Sequence, residues 1–282
     1  MLKERDKTDT TLTSNNKELL TARLSNLAYT SIRKYKNNQK LFKDASLSSW
    51  EYFQPEAISA ETKLKMFTAI NNTTKELVIV LKGSEPIPSF DIESMITDWC
   101  ISDIHLVIGK IPKQFYEAYS YLNTVKNQVP NDYKIFITGH SLGGSIVQLL
   151  CSLSENNEII GYTYNPYGVK HLLPILEEEN FIINSAFENI NNFSINIDLV
   201  SNHNDHIGNI YIIKYKKTFF KTIFCIISEL PKILTDIPFK IIKTIKYYFN
   251  LTKLFFIKMD AHFMNNFTSE FEYKPASKIR MK

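Results

Sequence analysis

The stretch Lys134-Ile-Phe-Ile-Thr-Gly-His-Ser-Leu-Gly-Gly-Ser-Ile-Val-Gln-Leu-Leu-Cys151 limits what this chain can fold into more than any other. It opens as an apolar, β-branched run of strand length and closes with apolar residues at helical spacing: Ile146, Val147, Leu149 and Leu150. Between them lies Gly139-His140-Ser141-Leu142-Gly143. A strand that turns into a helix within so few residues brings its own backbone into near contact. Side chains at positions 139 and 143 would collide there, so both are glycine, and Gly144 lets the helix pack closely on the sheet. The serine at the apex is forced into a strained conformation with its hydroxyl presented outward. The helix N-terminus behind it offers free N–H groups and a partial positive charge where an oxyanion would form. A five-letter Gly-x-Ser-x-Gly match by itself arises by chance, and it is the strand before and the helix after that give it meaning.

A serine in such a turn is a nucleophile only if a base and an orienting acid come from elsewhere. In chains with this kind of turn they follow in the order Ser, then Asp or Glu, then His. Four histidines follow Ser141: His171, His203, His206 and His262. The order requires a histidine late enough for a strand-end acid to precede it, and this points to His262 in Asp260-Ala-His-Phe-Met-Asn-Asn-Phe267. For the acid, Asp198 stands at the end of the alternating run Ile190–Ser201, while Asp205 sits seven residues further on in Asn202-His-Asn-Asp-His-Ile-Gly208. A triad acid belongs directly after a strand, which favours Asp198 and keeps Asp205 as the alternative. The run Glu76-Leu-Val-Ile-Val-Leu-Lys82 ends in Gly83-Ser84. Ser84 is an ordinary turn residue by itself, but beside such a serine it becomes the oxyanion-hole candidate, with the backbone N–H of Leu142 as its partner.

The rest of the chain reads as an α/β domain. Residues 1–16 are polar and read as a disordered tail, and 17–282 as one domain. Leu19, Leu20, Leu24, Leu27 and Ala28 predict a helix covering one sheet face, and Leu64–Ile70 with Glu76–Lys82 predict a β-hairpin across Asn71–Thr74. Residues 85–97 mix prolines with an apolar face and suit either a surface connection or a lid. Lys113–Val129 predicts a helix ended by Pro130, Ile159–Tyr164 the next parallel strand, Leu172–Glu179 a helix and Ile210–Tyr215 a last strand. The segment 216–258 differs in character, with nine lysines set among Phe, Ile, Leu and Tyr against Glu229 and Asp236. Its apolar runs are too short or too interrupted to span a bilayer. It suits a basic amphipathic helical insertion, either lying on a membrane surface or packed on the sheet with its lysines in water.

Composition adds bounds. At 282 residues with 44% hydrophobic content the chain can bury a large core, and a net charge of +4 does not call for nucleic acid. The three cysteines, Cys100, Cys151 and Cys225, give no disulfide framework, and the charged N-terminus shows no secretory signal. An intracellular, cytoplasmic or virion setting is the expectation.

With these motifs placed, the sequence resembles the class 3, fungal-lipase-like branch of the α/β-hydrolases from about Leu19 to Phe267, with 216–258 least alike. The resemblance rests on Gly139-His-Ser-Leu-Gly-Gly144 and on Leu77-Val-Ile-Val-Leu-Lys-Gly-Ser84, which looks like the family's oxyanion strand. It rests also on Asp98-Trp99, Phe115-Tyr-Glu-Ala-Tyr119, Tyr162-Thr-Tyr-Asn-Pro-Tyr-Gly168, Asp198-Leu-Val-Ser201 and Ala261-His-Phe-Met-Asn-Asn-Phe267. Lys82 stands where the family usually has Arg, and Pro112-Lys113-Gln114 lacks its usual His-x-Gly, which leaves lid packing and substrate shape open. The resemblance implies an α/β-hydrolase fold, a mostly parallel central sheet flanked by helices with a helical insertion before the histidine. It implies a serine lipase acting on acylglycerols or phospholipids, with no metal or cofactor; a membrane or lipid-droplet surface as partner is suggested only by the basic 216–258 segment. Two other readings stand beside it: a catalytically inactive lipase-like module that binds a membrane or partner through 216–258, and a soluble short-chain esterase or thioesterase.

Overall fold

The computed structural model describes residues 12–29, 42, 47–58, 62, 64–83, 109–154, 158–184, 186–198 and 200–213. Seven strands form one sheet in the order β1 to β7: Glu51–Ile58, Lys65–Asn71, Glu76–Leu81, Lys134–His140, Ile159–Tyr164, Ile190–Ile195 and Asn209–Ile213. The first three pair antiparallel, and β3 through β7 are parallel. Four α-helices accompany them among the described residues: α1 Leu12–Leu27, α2 Lys113–Gln128, α3 Leu142–Ser152 and the short α4 Leu173–Glu178.

The parallel strands read as nearly continuous apolar runs because both faces are covered. On β3 the side chains of Leu77, Ile79 and Leu81 enter one core with Phe115 and Leu122 of α2 and Ile146, Val147, Leu149 and Leu150 of α3. The intervening Val78 and Val80, with Phe136 of β4, enter a second core with Leu24 and Leu27 of α1 and with Trp50 and Phe67. Each such fully buried aliphatic side chain contributes about 1.5–3 kcal/mol from its removal from water. The period-two alternation of the strand thus divides one apolar run between two helix layers.

The hairpin, the α2 helix, β5 and α4 lie where the sequence places them, within a residue or two. Two elements differ. Helix α1 begins at Leu12, five residues ahead of Lys17, where the apolar spacing begins. Apolar spacing marks the part of a helix that packs, and backbone hydrogen bonds carry a helix beyond it. Strand β6 stops at Ile195, leaving Asn196 and Ile197 in a turn ahead of Asp198. Strand β1, with Pro55 inside it, has no clean sequence signal; it is the outermost strand of the described sheet, and irregular pairing with β2 accommodates the proline. The predicted lid (85–97), the basic insertion (216–258), Ser84, Asp98, Trp99 and His262 lie outside the described residues.

Candidate active site

Ser141 follows β4 directly and caps α3, at the carboxyl end of the parallel strands. Its backbone adopts φ 54°, ψ −127°, a region that ordinary L-residues avoid and that costs about 1–3 kcal/mol unless the surroundings hold it. The surroundings do so. The Ser141 N–H donates to the Tyr164 carbonyl at 3.0 Å, and the Ser141 carbonyl accepts from the Ser145 N–H at 3.0 Å. A Cβ on Gly139 would come within 2.5 Å of the Gly143 carbonyl carbon, and one on Gly143 within 2.4 Å of the Leu81 carbonyl oxygen. The turn therefore closes only with glycine at both positions. The Ser141 hydroxyl is buried and has no hydrogen-bond partner among the described residues. Buried polar atoms are ordinarily paired, so a serine hydroxyl left open in a strained turn is poised for a ligand or a base.

The carboxyl end of β3 lies against this turn. Gly83 is so close that a Cβ there would sit 2.4 Å from the His140 carbonyl oxygen and 3.0 Å from the Ser141 Cβ. Ser84 is the next residue along the chain. Leu142 is the first residue of α3, so its N–H belongs to the group that no intrahelical carbonyl can satisfy. It is buried beside Ser141.

Asp198 is also buried at the carboxyl end of the sheet, just past β6. Its Oδ1 accepts the N–H groups of Val200 at 3.0 Å and Ser201 at 2.6 Å, and Asn202 Nδ2 donates to its backbone carbonyl at 2.6 Å. These bonds fix the carboxylate in one orientation and stabilise its charge. Strands β4 and β6 flank β5, so their carboxyl ends lie two inter-strand spacings apart, roughly 10 Å. Asp205 is different: its side chain is exposed, and its part in the loop is a backbone carbonyl accepting the Lys170 N–H at 3.0 Å.

The other described histidines have different surroundings. His171 and His203 are exposed. His206 is buried, with Nε2 2.8 Å from the Ser201 carbonyl. Its pKa lies below the ordinary 6.5 because burial disfavours the cation, outweighing the Ser201 carbonyl and the charges of Asp205 and Asp198.

Two residues that brace these strand ends, Gln148 and Asn165, lie inside the quoted stretches, but their roles are not legible there. Gln148, buried on α3, donates to the Tyr167 carbonyl at 3.0 Å and accepts the Ile207 N–H at 2.9 Å, so it ties α3 to the loop after β5 and to the end of the loop after β6. Asn165, at φ 44°, accepts the Ile195 N–H at 2.8 Å and steadies the end of β6 ahead of Asp198. The signal that could have found them is a buried amide beside a strand end, which only the packed structure reveals. Among the described residues no group of three or more His, Cys, Asp or Glu is arranged to hold a metal ion, and no helix is long and apolar enough to cross a membrane.

Comparison with known proteins adds a name to this geometry. Residues 66–161 match the family model Lipase (class 3). The match is roughly a third of the chain and takes in β2, β3, α2, β4, the serine turn and α3, while Asp198 and His262 lie beyond it. No curated protein sequence matches the chain. Among solved structures, a lipase from Rhizopus microsporus var. chinensis aligns at 19% identity over 73% of this chain and 76% of its own, with a TM-score of 0.50. A lipase from Yarrowia lipolytica aligns at 18% identity over 72% and 80%, with a TM-score of 0.48. Lipase II from Rhizopus niveus aligns at 19% identity over 72% and 82%, also at 0.48. At such identities the likeness concerns the fold, which is the α/β-hydrolase arrangement, a mostly parallel sheet with helices on both faces. The sequence-based expectation of fold agrees with this likeness, and that of family agrees with the match over residues 66–161.

Proposed function

We propose that this protein is a serine carboxylic-ester hydrolase of the class 3 lipase type, with acylglycerols or phospholipids as substrates. One observation carries the reading: Ser141 is held at positive φ between two glycines that tolerate no side chain, with its buried hydroxyl unpartnered among the described residues. In this reading His262 removes the Ser141 proton as Oγ attacks the ester carbonyl. The carbonyl oxygen becomes an oxyanion received by the Leu142 N–H and by Ser84. The C–O bond to the alcohol breaks as His262 returns the proton to the leaving oxygen, and water then releases the acid from the acyl-enzyme by the same steps. Asp198 orients His262 and stabilises its cationic form. The support for Asp198 is its burial and its two backbone N–H bonds; the support for His262 is its place in the chain order.

The family match over residues 66–161 supports a lipid-ester substrate, and the basic, aromatic-rich 216–258 segment suits the surface of a membrane or lipid droplet inside a cell or virion. The test is hydrolysis of p-nitrophenyl esters of rising chain length, below and above their micelle threshold. Turnover should rise once substrate aggregates and vanish in Ser141→Ala, with the fold intact by circular dichroism. A folded wild type that turns over no chain length overturns the proposal and favours the lipase-like binding module. Turnover confined to short soluble esters favours the soluble esterase.

A further inference from the structure

Three segments distant in sequence meet at the hydroxyl of Tyr29. Tyr29 stands two residues beyond the end of α1. Its oxygen accepts the Gly83 N–H at 3.1 Å and lies 2.7 Å from Nδ1 of His140. Its ring is held as well: the His140 imidazole meets it edge-on at 5.5 Å, and Lys82 Nζ stands 5.2 Å from its centroid. Lys82, in the position where the resembled family usually has Arg, thus serves as a cation against this ring. The packing leaves little room for adjustment. A Cβ on Gly83 would fall 2.5 Å from the Tyr29 oxygen, 2.4 Å from the His140 carbonyl and 3.0 Å from the Ser141 Cβ. The Gly83 peptide is therefore confined between Tyr29 and the serine turn.

We propose that Tyr29 is a positioning residue for ester hydrolysis: its hydroxyl clamps the end of β3 to the serine turn and so sets where Ser141 and the Leu142 N–H are presented to the ester. The inference rests on the reading of Ser141 as nucleophile and the Leu142 N–H as oxyanion donor. Its physical basis is lever-like. An oxyanion donor works only within about 2.7–3.1 Å of the place where the negative oxygen forms. Leu142 is the second residue past His140, so a shift of His140 carries the turn and its N–H off that place. The Gly83 N–H is buried, and Tyr29 supplies its acceptor from outside the sheet. The same oxygen touches His140, the residue before Ser141, so the end of β3 and the serine turn are referred to one atom. Helix α1, which carries this contact, is itself anchored by Ser25 Oγ to Thr138 Oγ1 at 2.8 Å and by Thr21 Oγ1 to the Tyr164 hydroxyl at 2.7 Å.

The test is Tyr29→Phe in the full chain, which removes one oxygen and keeps the ring. Active sites are counted by titration with a fluorophosphonate, so that kcat refers to reactive Ser141 alone. We expect kcat per titrated site to fall about 10- to 100-fold, as for a misplacement on the order of 1 Å, with KM changed less than about threefold. A purely structural role would lower yield and Tm and leave kcat per site unchanged. A kcat within about twofold of wild type, in a wild type that hydrolyses esters, overturns this inference and leaves the proposed function standing. A wild type that hydrolyses none overturns the proposed function and this inference with it. Should Tyr29→Phe not fold, amide hydrogen exchange on the wild type decides: Gly83 should be strongly protected, and a freely exchanging Gly83 N–H overturns the clamp.

Discussion

At the scale of single residues, environment separates groups that the sequence leaves equivalent. Asp198 and Asp205 are both carboxylates in one loop after β6. Asp198 is buried with two backbone N–H donors on one oxygen, whereas Asp205 is exposed. The proposed base needs a partner whose charge is fixed and shielded from water, a requirement that the surroundings of Asp198 suit better than those of Asp205. Asp198→Asn should lower kcat/KM by about 10⁴-fold, the loss known for an acid of this role, and Asp205→Asn by less than about threefold. Steady-state kinetics of the two variants checks this, and the reverse ordering would move the acid to position 205.

At the scale of elements, the contact that matters is the one between α3 and the end of β3. Gly143 carries it: a Cβ there would meet the Leu81 carbonyl oxygen at 2.4 Å, the Leu81 carbonyl carbon at 2.9 Å and the Lys82 carbonyl carbon at 3.0 Å. All three are backbone atoms, which cannot turn aside as a flexible side chain would. Gly143→Ala should therefore destabilise the protein by ~3 kcal/mol or more, at or beyond the upper end for overpacking. Gly109 is the useful contrast. It has φ +72° but nothing within 4 Å of its Cβ position, so Gly109→Ala meets only backbone strain, about 1–2 kcal/mol. Urea denaturation of both variants measures the difference between steric exclusion and conformational preference.

At the scale of the whole molecule, the sheet's polarity gathers the site. Ser141 and Asp198 follow β4 and β6, and Gly83 follows β3, all at the carboxyl edge of parallel strands. Global stability should also respond to acid through His206. Its native pKa is lowered from 6.5, so between 6.5 and the native value the unfolded chain binds a proton that the folded chain does not. Stability then rises with pH across that window and is lost as pH falls below about 6.5, by at most about 1.4 kcal/mol per pH unit from this group. His206→Gln should flatten that part of a stability-versus-pH curve measured by urea denaturation.

What the sequence determined by itself was local: the strand–turn–helix around Ser141, the glycines it requires, the hairpin, the α2 helix and β5 all follow from periodicity and from steric exclusion, which act between residues near in the chain. The resemblance to class 3 lipases rests in part on those residues, and the family match over 66–161 covers most of them. What only the tertiary structure decided was non-local. The burial that sets Asp198 apart from Asp205, the bridge that Gln148 makes from α3 to the loop after β6, and the meeting of Tyr29 with Gly83 and His140 each join segments many residues apart. Serine, glutamine and tyrosine look alike in a sequence whether they face water or a buried peptide group. A hydrogen bond between distant residues leaves no periodic trace, so its partners are known only once the sheet has brought them together.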